Sequence, residues 1–136
     1  MYALKTSIIL LILVVVGCNT TKQSNTLGQD GLERIIAKKL GTQTTKINNT
    51  GNTMILAWTK DDTSGTTIIR YGVWLISSGE LIYADTAKRG SVKWLNDDSL
   101  IVEDYPGIID GDNTNFKFKI DLRTKIKIPF DDKKNL

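Results

Sequence analysis

The residues of this chain that could do chemistry are few: one thiol, one loop of alternating Asp and Asn, three tryptophans, a scatter of carboxylates and a basic run. There is no histidine among the 136 residues. That removes the commonest general base and the commonest transition-metal ligand. Asp110-Gly111-Asp112-Asn113-Thr114 sets oxygen ligands at alternate positions, as calcium loops do, and Asp121 falls at position twelve of that frame. Position six, however, is Asn115, where an EF-hand needs Gly, and position twelve should be a bidentate Glu. Asp110 and Asp112 are therefore weak calcium candidates. The segment reads first as a hairpin loop, and no metal or other dissociable cofactor is expected.

Trp58, Trp74 and Trp94 could form a sugar-stacking platform. Trp58 and Trp74 fall on strand faces that need filling, so Trp94 is the one expected to be exposed and the possible ligand contact. Glu80, Asp85, Glu103 and Asp104 could furnish a carboxylate pair for glycoside hydrolysis, which needs two carboxyls about 5–10 Å apart across a cleft. Glu80 flanks a turn, and Glu103 is expected to pair with Lys93 across a hairpin. Ion-paired or solvated roles are the simpler reading. The basic series Lys117, Lys119, Arg123, Lys125 and Lys127 could meet anionic lipid or an acidic partner, although a solvated sheet face is the default. A Ser–Lys dyad has no motif behind it. No residue is assigned a catalytic role.

The elements that would position these groups follow from pattern. Residues 30–40 carry the one helical signal. Asp30 is placed to N-cap with Glu33 as its capping-box partner, and Leu32, Ile35, Ile36 and Leu40 make an apolar stripe. Lys38 and Lys39 suit the last turn, and Gly41 suits the position after it. From residue 53 the period changes to two. Residues 53–60 put Met54, Leu56 and Trp58 on one face. Residues 66–77 are apolar on both faces, which predicts a central, covered strand, with Gly72 marking a bulge or close contact. A two-residue Ser78-Gly79 turn would pair Ile76 with Leu81 and Trp74 with Tyr83. Residues 91–95 and 99–105 form a second hairpin through Asn96-Asp97-Asp98. Residues 116–122 alternate cleanly, with Phe116, Phe118, Ile120 and Leu122 pointing in. A three-residue connection would then pair Ile120 with Ile126 and Phe118 with Ile128, and set Lys119 against Lys127. The expected fold is mainly β: an antiparallel meander of about six or seven strands with one N-terminal amphipathic helix packed on a face. The run of a tryptophan strand, an Asn-Asp turn and a strand ending Ile120-Asp121-Leu122 is similar to a propeller blade. Six or seven strands make about one and a half blades of four, too few for a closed propeller.

The first eighteen residues are of another kind. Lys5 is followed by nine unbroken apolar residues, Ile8 to Val16. That is too short to span a bilayer and fits the apolar core of an export signal. It ends in Val15-Val16-Gly17-Cys18, and here the chain resembles the bacterial lipoproteins. The resemblance implies cleavage between Gly17 and Cys18, a thioether-linked diacylglyceryl group on Cys18, and an acyl chain on its new amine. Two or more chains make such attachment stable, at about 0.8 kcal/mol per buried methylene. Residues 1–17 are then a removed signal peptide, residues 18–29 a flexible tether and residues 30–136 a single β-rich domain. Asn19 in place of Asp after the lipidated cysteine leans toward an outer membrane facing the periplasm, where the cell has one.

Removing residues 1–17 also removes Lys5, so the 18 basic residues become 17 against 15 acidic ones, a net charge of +2 that gives no argument for nucleic acid. Cys18 is the only cysteine, so the mature domain has no internal disulfide and must be stabilised by burial. The functional expectation is a membrane-anchored envelope lipoprotein acting as a non-enzymatic binding or accessory module with an envelope protein partner. The alternatives are an inhibitor or immunity factor against an envelope-active enzyme, and a protein that binds or cleaves cell-wall glycan.

Overall fold

The structure, a computed structural model, describes residues 27–62, 65–107 and 116–131. Within these residues the chain forms one helix and eight strands. They are α1 (Gln29–Leu40), β1 (Thr45–Asn48), β2 (Met54–Asp61), β3 (Ile68–Leu75) and β4 (Leu81–Lys88), then β5 (Ser91–Asn96), β6 (Ser99–Glu103), β7 (Lys117–Asp121) and β8 (Ile126–Pro129). The strands do not make one meander. They make two antiparallel four-stranded sheets, β1-β2-β3-β4 and β5-β6-β7-β8, each in chain order. The mainly β, antiparallel expectation holds; the strand number and the single sheet do not. Each sheet has the four-strand order of a blade, but two such sheets are still too few to close a propeller.

The sheets divide at Arg89-Gly90, a two-residue corner. A Cβ added to Gly90 would lie 1.9 Å from the Glu103 carbonyl oxygen, so only glycine lets the chain turn there. Arg89 N–H donates to Thr67 O, and Tyr105 N–H donates to Lys88 O, which ties the corner to both sheets.

Burial explains the layering. β3 is apolar on both faces and lies inside its sheet, as its pattern predicts. One face, with Ile69, Tyr71 and Val73, joins Leu56 and Ala87 and packs against Val92, Leu100, Val102, Ile120 and Leu122 of the second sheet. The opposite face presents Trp74, which packs with Ala57 against Leu32, Ile36 and Leu40 of α1. The molecule is thus three layers: helix, sheet, sheet. Gly72 is the close contact foreseen for it. A Cβ there would come within 2.6 Å of the Trp74 ring, which folds back along the strand. The register also shifts between Val73 and Trp74.

Three local expectations are corrected. The cap of α1 is Gly28 with no side-chain cap bond, because the helix starts before Asp30. Asp30 lies in the first turn, and Glu33 pairs across to Lys46 of β1 instead of reaching back. Leu27, just before the helix, packs on the helix cluster and donates its N–H to Ser77 O. The β3–β4 connection is longer than two residues, since Gly79 N–H closes onto Leu75 O and Leu75 N–H onto Glu80 O. Trp74 therefore faces Leu81, and Val73 faces Tyr83.

The β7–β8 connection is the third. It has four residues, 122–125. Asp121 Oδ1 accepts from Arg123 N–H and Thr124 N–H at 3.0 Å, and Lys125, at φ +58°, donates its N–H to Asp121 O at 2.7 Å. Asp121 then faces Ile126, Ile120 faces Lys127 and Lys119 faces Ile128. The expected Ile120–Ile126 and Lys119–Lys127 pairs do not form. A shift of one residue moves every side chain of a strand to the other face. Lys127 therefore turns between the sheets, while Ile126 and Ile128 turn out.

Candidate functional site

Two of the carboxylates singled out above are brought together. Asp85 on β4 and Asp104, just beyond β6, meet at the edge of the sandwich, and Lys127 of β8 lies between them. Its Nζ is 3.8 Å from Asp85 Oδ2 and 3.5 Å from Asp104 Oδ2. The same ammonium lies 4.7 Å from the centre of the Phe118 ring, a cation–π contact. Tyr71 and Tyr83 complete the group. Their hydroxyls donate to Asp85 Oδ2 at 3.4 and 3.3 Å, and their ring centres are 6.2 Å apart. The outer oxygens are also engaged. Asp104 Oδ1 accepts from Lys88 N–H, and Asp85 Oδ1 accepts from Thr86 N–H, both at 2.8 Å.

The register correction makes this cluster. Tyr83 opposite Val73 lies on the inter-sheet side beside Tyr71, and the four-residue turn brings Lys127 inward. Burial raises the Tyr71 hydroxyl far above its ordinary pKa, and the Asp85 charge adds to that. Tyr83 is raised for the same two reasons, burial first. Both phenols therefore stay protonated and act as donors. Two carboxylates sharing one ammonium, with two phenols kept neutral, hold charge in place; the arrangement suits clamping β4 to β8 better than moving a proton.

The remaining carboxylates are separated from this group. Glu80 lies in the β3–β4 turn and is exposed. Glu103 stands opposite Ser91, not Lys93, and binds Ser91 Oγ at 2.9 Å and Lys117 Nζ at 3.9 Å. The tryptophans do not share a platform. Trp74 is buried beneath α1, whereas Trp58 and Trp94 border the inter-sheet core and are half-buried. Trp94 Nε1–H donates to Ile47 O at 3.0 Å, which ties β5 to the edge strand β1. Its indole edge is thus committed to the fold.

A second junction was not legible in the sequence. Asn49 is buried in the β1–β2 turn. Its Oδ1 accepts from Thr53 N–H at 2.9 Å and Met54 N–H at 3.0 Å, and its Nδ2 donates to Thr53 Oγ1 at 3.0 Å and Asp97 O at 3.3 Å. Asp97 Oδ1 accepts from Gly51 N–H at 2.8 Å in return. The β5–β6 turn is therefore latched to the β1–β2 turn. Asn49-Thr50-Gly51 reads as an ordinary turn signal, and nothing in it points to a distant partner.

The basic series does not form one row. Lys117 and Lys119 project from the outer face of the second sheet, Lys127 projects inward, and Arg123 and Lys125 lie in the intervening turn. On that outer face Lys119, Asp121, Thr124, Ile126 and Ile128 line a shallow groove of about 290 Å³. Backbone donation from Thr124, with further help from Arg123, holds the Asp121 carboxyl below the usual carboxylate range.

Gly17, Cys18, Asp110 and Asp112 lie outside the described residues. Among the described residues no group of three acidic, His or Cys side chains is placed to hold a metal ion, and no helix is long and apolar enough to cross a membrane. Comparison with protein-family models, curated proteins and solved structures gives no match to this chain.

Proposed function

We propose that this chain is a lipid-anchored envelope protein whose folded domain serves as a non-enzymatic binding or accessory module. The observation that carries this reading is the run from Lys5 through the apolar core to Val15-Val16-Gly17-Cys18. It supplies a reason for export, a nucleophile for the lipid and a small residue at the cleavage point. A membrane surface facing the periplasm, where the cell has one, is the destination it favours.

The geometry supports a binding role in a different way. Asp85 and Asp104 are taken up by Lys127, two tyrosines and backbone donors, and Glu103 by Lys117 and Ser91. Their engagement leaves these carboxylates as parts of the frame. The surfaces that remain for recognition are the outer face of the β5–β8 sheet, the edge strands and the turns. The test is crosslinking capture on intact cells carrying the full chain with a C-terminal tag. A single stoichiometric envelope protein supports the reading. Catalytic turnover by the purified full chain, lost on changing one carboxylate, refutes it.

A further inference from the structure

The outer face of the β5–β8 sheet carries a pattern that the rest of the molecule does not use. Lys93, Ile101, Lys119 and Ile128 stand opposite one another across all four strands; Ile101 is buried between the two lysines, and Ile128 is the exposed aliphatic side chain of the row. Ile126, in the next row, is 56% exposed and Ile128 is 49% exposed. On the other sheet the corresponding outer face is covered by α1. The acids on this face are both spoken for: Glu103 binds Ser91 and Lys117, and the Asp121 carboxylate is turned to the backbone of its own turn. Among the described residues Lys93 and Lys119 form no ion pair.

We propose that this face seats on an anionic membrane surface, with the lysine ammonium groups at phosphate level and Ile126 and Ile128 in the interface between them. Exposed aliphatics set among cations are what an interfacial surface requires, and each basic residue near an anionic leaflet strengthens binding by roughly fivefold. A second copy of the chain is disfavoured on this face, because stacking it on itself sets lysine against lysine. The proposal rests on the lipid anchor for its geometry, and the lengths agree. Packed sheets lie about 10 Å apart and a helix layer adds about as much, so Leu27 stands roughly 20 Å from this face. The nine residue steps from Cys18 to Leu27 reach about 30 Å when extended, enough to let the face lie flat.

The test uses the full chain isolated from bacterial membranes and reconstituted in vesicles of phosphatidylcholine alone or mixed with phosphatidylglycerol. Lysine acetylation is followed peptide by peptide. The expected result is that Lys93 and Lys119 react several-fold more slowly on the anionic vesicles, that high salt restores them, and that Lys38 and Lys60 are unaffected. Lys125, in the turn beside this face, should be slowed with them in the wild-type chain, and with Lys93→Gln and Lys119→Gln both in place that protection of Lys125 should disappear while the circular dichroism is retained. Equal rates on the two vesicle types overturn the proposal. So does protection seen only in intact envelopes and never on vesicles, which assigns the face to an acidic protein. The intact mass of the same preparation reads Cys18 separately: a chain without acyl mass retires the anchor, while its lysine footprint still decides the face.

Discussion

Tyr71 makes the fold sensitive to alkali, and the size of the effect follows from where its hydroxyl sits. The side chain is 1% exposed, and burial and the Asp85 charge both oppose ionisation, so its folded pKa is raised. In the unfolded chain the phenol ionises near pH 10. A raised folded pKa means that the native state keeps a proton the unfolded state gives up. Tyr71 therefore contributes its full stability below about pH 10 and withdraws it as the pH climbs above that value. By pH 11 an unfolded tyrosine has gained about 1.4 kcal/mol from ionising, while the folded one has gained almost nothing. Urea unfolding at pH 8, 9, 10 and 11 measures this directly when wild type is compared with Tyr71→Phe. The other ionisable groups are common to both proteins, so the difference between them reports the Tyr71 hydroxyl together with its coupling to Tyr83. Wild type should lose about 1.4 kcal/mol more than Tyr71→Phe between pH 9 and pH 11. At pH 8 the variant should be weaker by about 1 kcal/mol or less, since the bond it loses is long at 3.4 Å. Parallel loss in the two proteins would refute the placement of a buried hydroxyl against the Asp85 carboxylate.

Three further outcomes are expected. Gly90→Ala should leave little folded protein, because the new Cβ meets backbone and not a movable side chain; soluble yield and thermal unfolding check it. Asn49→Ala should cost about 1–3 kcal/mol in urea unfolding, since the Thr53 and Met54 backbone donors and the Asp97 carbonyl lose their buried partner. A loss under about 0.5 kcal/mol would show the two turns to be independent. Cys18→Ser should abolish incorporation of labelled fatty acid and release or misprocess the chain. Unchanged labelling and membrane attachment would sink the lipid-anchor reading.

Much of the fold was visible in local periodicity. The α1 stripe of Leu32, Ile36 and Leu40 is buried as its spacing predicts, and the two-faced β3 is covered on both sides. These succeed because burial acts on each side chain through its own position in a repeating backbone. Caps and turns are less legible. Asp30 and Glu33 match the capping box, yet Lys46, thirteen residues away, takes the Glu33 carboxylate. Of the candidate site residues, Asp85 and Asp104 each stand out in the sequence as carboxylates. Their common partner does not stand out, because Lys127 faces outward in the register that a three-residue connection gives.

The amino-acid order by itself determined the β class, the helix and its buried stripe, the absence of histidine and the Val15-Val16-Gly17-Cys18 run that resembles a lipoprotein signal. Each of these is a property of composition or of short-range spacing. Tertiary structure alone decided the division into two sheets, the Asn49–Asp97 latch, the Tyr71–Tyr83–Asp85–Asp104–Lys127 clamp and the row of Lys93, Ile101, Lys119 and Ile128. Those depend on strand register. Register here was set by a four-residue turn that Asp121 closes with its own carboxylate, where a three-residue connection would have served the alternation equally well. Side-chain alternation has a period of two, so it constrains where a strand lies but not which of two adjacent registers pairs it with its neighbour.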